Sequence, residues 1–112
     1  MNVSELSPAP QYVEAFRRSR ERFIPNRSGC YVLATFNGVV LYLGLSNDLR
    51  RRFNEHLDTP SKTTLTTQGR AVLFHWVEVS DLNKVERTWQ NIHLINEGRL
   101  PVLNNIYSPT SI

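Results

Sequence analysis

A chain of 112 residues, 40% hydrophobic and 21% charged, suits one compact core and leaves no room for two domains. No apolar run approaches the roughly 20 residues that span a bilayer, and residues 1–10 lack the basic stretch and apolar run of a secretory signal. The net charge is +3 with Lys62 and Lys84 the only lysines, and the single cysteine, Cys30, excludes an internal disulfide and a four-thiolate zinc site, which together favour a reducing, intracellular setting.

The arginine-rich balance is compatible with an anionic partner, because the guanidinium fork matches phosphate oxygens. Along the chain, residues 1–9 read as loose and polar. Pro10 then opens an expected helix to about Arg22, with Tyr12, Val13 and Phe16 on its apolar side and Arg17, Arg18, Arg20 and Arg22 at its basic end. Residues 24–29 read as a turn. Two strands follow, residues 30–36 and 39–43, joined by Asn37-Gly38, a strong hairpin signal. Their apolar residues on both faces imply a sheet covered on both sides.

Ser46-Asn47-Asp48 is a natural cap for a helix to about Leu57. Residues 58–69 are polar, threonine-rich and turn-like. Residues 71–79 form an expected third strand, with Phe74, Trp76 and Glu78 on one face. A long helix runs from Asp81 to about Glu97 and stops at Gly98, with Leu82, Val85, Trp89 and Ile92 on one side. Residues 101–104 form a short extended tail. The order implies an α+β layer structure with a three-stranded sheet flanked by helices.

Alternation puts Gly29 and Tyr31 on one face of the first strand, and Val40, Tyr42 and Gly44 on one face of the second. The hairpin can bring the two phenols onto one surface. Arg52 and His56 are four apart on a helix and share a face. Gly44 removes side-chain bulk where another group must approach. Two phenols, a guanidinium and an imidazole around a shallow cleft can orient a water, move protons and neutralise a phosphate. Taken singly, each has a plainer role: strand tyrosines usually belong to the core, and Arg50, Arg51 and Arg52 would be a solvated helix face. His75 and His93 have no such neighbours in the pattern and are read as structural.

Gly29-Cys30-Tyr31, Tyr42-Leu43-Gly44, Asp48-Leu49 with Arg52 and His56, and the ending Pro101 to Asn104 resemble the GIY-YIG nuclease family over roughly residues 28–105. The first motif differs at its middle residue, and the second has leucine for isoleucine. The order and spacing carry the likeness. It divides the chain into an N-terminal extension, residues 1–27, with a basic amphipathic helix; a nuclease-like domain, residues 28–105; and a short tail, residues 106–112. It implies metal-dependent hydrolysis of nucleic-acid phosphodiesters, DNA before RNA, with one Mg²⁺ or Mn²⁺. It also implies a cytoplasmic or nucleoid-associated setting and no membrane partner.

By that resemblance Tyr31 is a general base or positions one, Tyr42 orients water or phosphate, Arg52 stabilises phosphoryl charge, and His56 bonds the phosphate or relays a proton. Arg17, Arg18, Arg50 and Arg51 are expected nucleic-acid contacts, and Gly29, Gly44 and Asn104 structural residues, Asn104 holding backbone near the first strand. The family's metal-binding glutamate has no clean match. Counting back from Ile95 and Pro101 reaches Asn91 or, with another helix length, Thr88. Glu86 is the nearest upstream acid, about 140° around the helix from Asn91. Either Glu86 is the metal ligand, or the site is degenerate and the chain is a nucleic-acid-binding or protein-interaction module, with the N-terminal helix as a docking element.

Overall fold

Hairpin chemistry organises the sheet. In the computed structural model, which describes residues 1–104, Gly38 takes a left-handed φ of 86° and turns β2 (Gly29–Ala34) back onto β3 (Val40–Ser46). The pairing is antiparallel, with Tyr31 opposite Gly44 and Leu33 opposite Tyr42. β3 continues past its expected end at Leu43 because Leu45 and Ser46 still pair with Cys30 and Gly29. β4 (Leu73–Val77) pairs antiparallel with the other side of β2. The expected tail at residues 106–112 lies outside the described residues.

The expected N-terminal helix is instead a strand and a 3-10 helix. β1 (Tyr12–Ala15) pairs antiparallel with β4, Tyr12 opposite Trp76 and Ala15 opposite Leu73. Residues Arg18–Phe23 follow as the 3-10 helix. The sheet therefore has four strands, in the order β1-β4-β2-β3, rather than three. The physical reason is tertiary. β4 has an edge of backbone donors and acceptors to satisfy, and Gln11 N–H already donates to Trp76 O at 2.9 Å. The Tyr12 ring stacks on Trp76 with centroids 5.4 Å apart, which a helix would forgo. Local propensity yields to that pairing.

Helices cover both faces of the sheet. On one, Tyr31, Leu33, Phe74 and Trp76 meet Leu49 and Phe53 of α1 (Leu49–Leu57) and the buried Phe16. On the other, Cys30, Val32, Leu43 and Val77 meet Trp89 of α3 (Leu82–Glu97), with Val3 and Leu6 of the N-terminal segment closing the cluster. The first 27 residues are thus built into the same sheet and the same cores. Asp48 caps α1 by accepting from Arg51 N–H, and Asp81 caps α3 by accepting from Lys84 N–H. Gly98, with φ 73°, stops α3. Ile92 is only half-buried, and His93 takes the deeper position, its Nδ1–H donating to Arg99 O at 2.5 Å. The polar stretch after α1 contains one helical turn, α2 (Pro60–Thr63), with proline at its first position.

Candidate active site

Backbone constraints place the site before any side chain does. A Cβ on Gly29 would lie 2.5 Å from Val77 O and 2.8 Å from Leu49 Cδ1, so glycine lets the start of α1 sit directly on β2. A Cβ on Gly44 would lie 2.5 Å from Tyr31 Cζ. The Tyr31 ring occupies that space and stacks on Phe74 behind it, centroids 5.0 Å apart. Asn104 anchors the same strand. Its Oδ1 accepts from Leu43 N–H at 2.8 Å and its Nδ2–H donates to Leu43 O at 2.9 Å. The backbone it holds is thus the second strand of the hairpin, beside Tyr42, rather than the first.

The four residues singled out by spacing meet at one place. Ring centroids are 6.0 Å apart for Tyr31 and Tyr42, 5.4 Å for Tyr31 and His56, and 5.2 Å for Tyr42 and His56. The Tyr31 hydroxyl and His56 Nε2 are 2.5 Å apart. Arg52, one turn before His56, is buried against the same group, and its Nη1–H donates to Glu55 Oε1 at 2.9 Å. Tyr31 is fully buried, His56 nearly so, and Tyr42 half-buried at the edge of the group.

Burial dominates the electrostatics. It pushes the Tyr31 phenol well above its ordinary range, Tyr42 adds to the push, and Arg52 pulls the other way. The Tyr42 phenol is also raised, by burial first, with Arg52 opposing. His56 is depressed to about 3, by burial and then by the charges of Arg52 and Lys62. At neutral pH the imidazole is therefore neutral and the phenol protonated, and in the tautomer that carries its proton on Nδ1 His56 accepts from the Tyr31 hydroxyl at Nε2. Burial works against the Arg52 charge, but Tyr31, Glu55 and Tyr42 outweigh it and leave the guanidinium firmly protonated.

Lys62 was not foreseen. Nothing marks it within a threonine-rich stretch except the Thr59-Pro60 helix start. Its side chain is 3% exposed, and its Nζ lies 4.8 Å from the Tyr42 ring centroid.

The two candidates on α3 differ in surroundings. Glu86 is half-buried, and burial raises its carboxyl above the usual range. Its charge reaches Tyr42 and Cys30, pushing both upward after burial has done most of the work. Among the described residues its carboxylate has neither a hydrogen bond nor an ion pair. Asn91 is exposed. Thr88 spends its hydroxyl on Lys84 O at 2.8 Å. No group of three or more His, Cys, Asp or Glu side chains able to hold a metal occurs among the described residues, so a cation here would draw on few protein ligands, with at least one carboxylate needed. Glu86 fits that need in charge and in lacking a counter-ion. Cys30 donates to Leu82 O, and burial, then Glu86, pushes it up to about 12, so it stays an unreactive thiol.

The arginines expected to meet nucleic acid are mostly engaged within the chain. Arg18 bonds Asn54 at 3.0 Å and pairs with Asp58. Arg50 donates to Ile24 O at 2.7 Å and Arg22 O at 3.2 Å, tying the segment after the 3-10 helix to α1. Arg51 pairs with Glu55 at 3.2 Å and bonds Asn47. Arg17 is exposed, and among the described residues its side chain has no ion pair.

A small antiparallel sheet between helices gathers two phenols, an imidazole and an arginine beside its hairpin. The GIY-YIG catalytic domain model matches residues 27–94, well over half of the chain. The chain belongs to that family, which is made up of endonucleases and implies a nucleic-acid substrate. A comparison with curated proteins finds no match. No helix among the described residues is long and apolar enough to cross a membrane.

Proposed function

We propose that this chain is a metal-dependent endonuclease that hydrolyses nucleic-acid phosphodiesters, with DNA as the first substrate to test. The observation that carries the reading is the three-ring contact of Tyr31, Tyr42 and His56 beside Arg52. In that contact the Tyr31 oxygen sits in a proton path. As it takes a proton from the attacking water, it passes its own to His56 Nε2. His56 is a weak acceptor while burial, Arg52 and Lys62 hold it down. An arriving phosphate anion offsets those two charges and makes the imidazole more basic. Tyr42, at the open edge, orients the water or the phosphate. Arg52, steadied by Glu55, stabilises charge growing on the phosphoryl oxygens. Glu86 would hold the divalent cation, Mg²⁺ or Mn²⁺, which when bound polarises the phosphate and assists the leaving oxygen.

The second reading is a domain that binds without cutting. The spacing supports it, since Asn91 stands where the family has its metal-binding acid. Labelled DNA and RNA, incubated with the protein and Mg²⁺, Mn²⁺ or chelator, separate the two. Cleavage confined to the metal samples supports the nuclease. Binding without cleavage under every condition refutes it and leaves the binder.

A further inference from the structure

We propose that Lys62 is a second phosphate-contacting cation of this site, sharing with Arg52 the charge of one backbone phosphodiester. The proposal rests on the nucleic-acid reading given above. A lysine is among the residues least often fully buried, and when it is, a carboxylate or carbonyl normally meets the ammonium. Lys62 is 3% exposed, yet among the described residues it has no hydrogen bond and no ion pair. What faces its ammonium is the Tyr42 ring, at 4.8 Å. The nearby acid of α1, Glu55, is already bound by Arg51 and Arg52.

The lysine is held in this position by the chain itself. Thr59 Oγ1–H donates to Glu55 O at 2.7 Å and Lys62 N–H donates to Thr59 O at 2.9 Å, which fastens α2 to the end of α1. Burial and then the Arg52 charge lower the amine's affinity for its proton. Two cations therefore bear on the same phenol and imidazole, and only one has an acid. A single negative charge placed between them relieves both the repulsion and the lost hydration. A phosphodiester carries one such charge.

Lys62 and Lys84 are the only lysines, so their amine signals can be told apart by NMR, with Lys84→Arg to assign them. The whole chain, kept in chelator so that nothing is cut, is titrated with a short DNA duplex. The Lys62 amine signal should move and its pKa should climb toward the ordinary lysine value, while Lys84, exposed on α3, stays. Binding by anisotropy gives the second readout. Lys62→Met should bind several-fold more weakly at low salt. Its plot of log affinity against log salt should be shallower by ~0.9, one phosphate contact fewer. Lys62→Arg should restore both. Parental affinity and slope in a folded Lys62→Met protein would overturn the proposal and leave the nuclease reading standing. If Lys62→Met fails to fold, the unmutated protein decides, since a silent Lys62 amine at saturating duplex overturns the proposal. An unmutated protein that binds no duplex overturns the proposal and leaves the nuclease reading to the cleavage assay on DNA and RNA.

Discussion

Gly44 is worth more to this site than its lack of a side chain suggests. The Tyr31 ring has Phe74 behind it and the bare backbone of Gly44 in front, so it has nowhere to retreat. Gly44→Ala should cost about 1–3 kcal/mol by overpacking and should lower cleavage along with stability. Urea unfolding of the two proteins checks the first, and an unchanged midpoint would show that the ring can move. His56 makes a pH prediction. Its folded pKa of about 3 lies below the unfolded value of about 6.5, so the unfolded chain binds more protons between those limits. The stability tied to the neutral imidazole is complete above pH ~6.5 and is lost as pH falls toward 3, at up to ~1.4 kcal/mol per unit. Glu86, with its raised carboxyl, works in the opposite sense. The comparison is therefore between the parental protein and His56→Gln at each pH. Equal slopes for the two would remove His56 as the cause. Arg52→Ala should slow cleavage by on the order of 10² or more. Because Arg52 is buried rather than a surface residue, it should also lower the melting temperature. A variant that cuts at the parental rate would remove Arg52 from the mechanism.

At the scale of elements, the hairpin and α1 were legible and the N-terminal segment was not. Asn37-Gly38, the strands apolar on both faces and the Asp48 cap are local signals, and the structure keeps each of them. So is the four-residue step from Arg52 to His56. Residues 12–15 carry no local signal that separates strand from helix. What decides is the open edge of β4, a partner some sixty residues away. Lys62 was illegible for a related reason, since its burial depends on how α2 docks on α1. Asn104 lies between these cases, because the ending motif flagged it while its partner, Leu43, emerges only in three dimensions. Its carboxamide acts as one more rung on the free edge of β3. Asn104→Ala leaves the Leu43 N–H and C=O without that partner, so a loss of about 1–3 kcal/mol is expected. Hydrogen exchange should quicken at Leu43 more than at Val32, and equal rates would argue against the rung.

For the whole molecule, the open question of the metal acid has a direct test. Glu86 is half-buried on α3 with no counter-ion among the described residues, and Asn91 is exposed. Glu86→Gln should abolish metal-dependent cutting with little change in nucleic-acid affinity, and Asn91→Ala should be mild. A silent Glu86→Gln, together with an Asn91→Glu that gains activity, would reverse the assignment.

The pairing of surface arginines with the chain's own acids bears on how the molecule finds its target. Arg18, Arg20, Arg27 and Arg51 each hold a carboxylate. A guanidinium already neutralised projects little field into solvent, so these four arginines add little to the long-range attraction of a polyanion, which falls to the net charge of +3. Under the nuclease reading, a substrate held close by tethering or high local concentration should therefore be cut faster than the same substrate met in free solution.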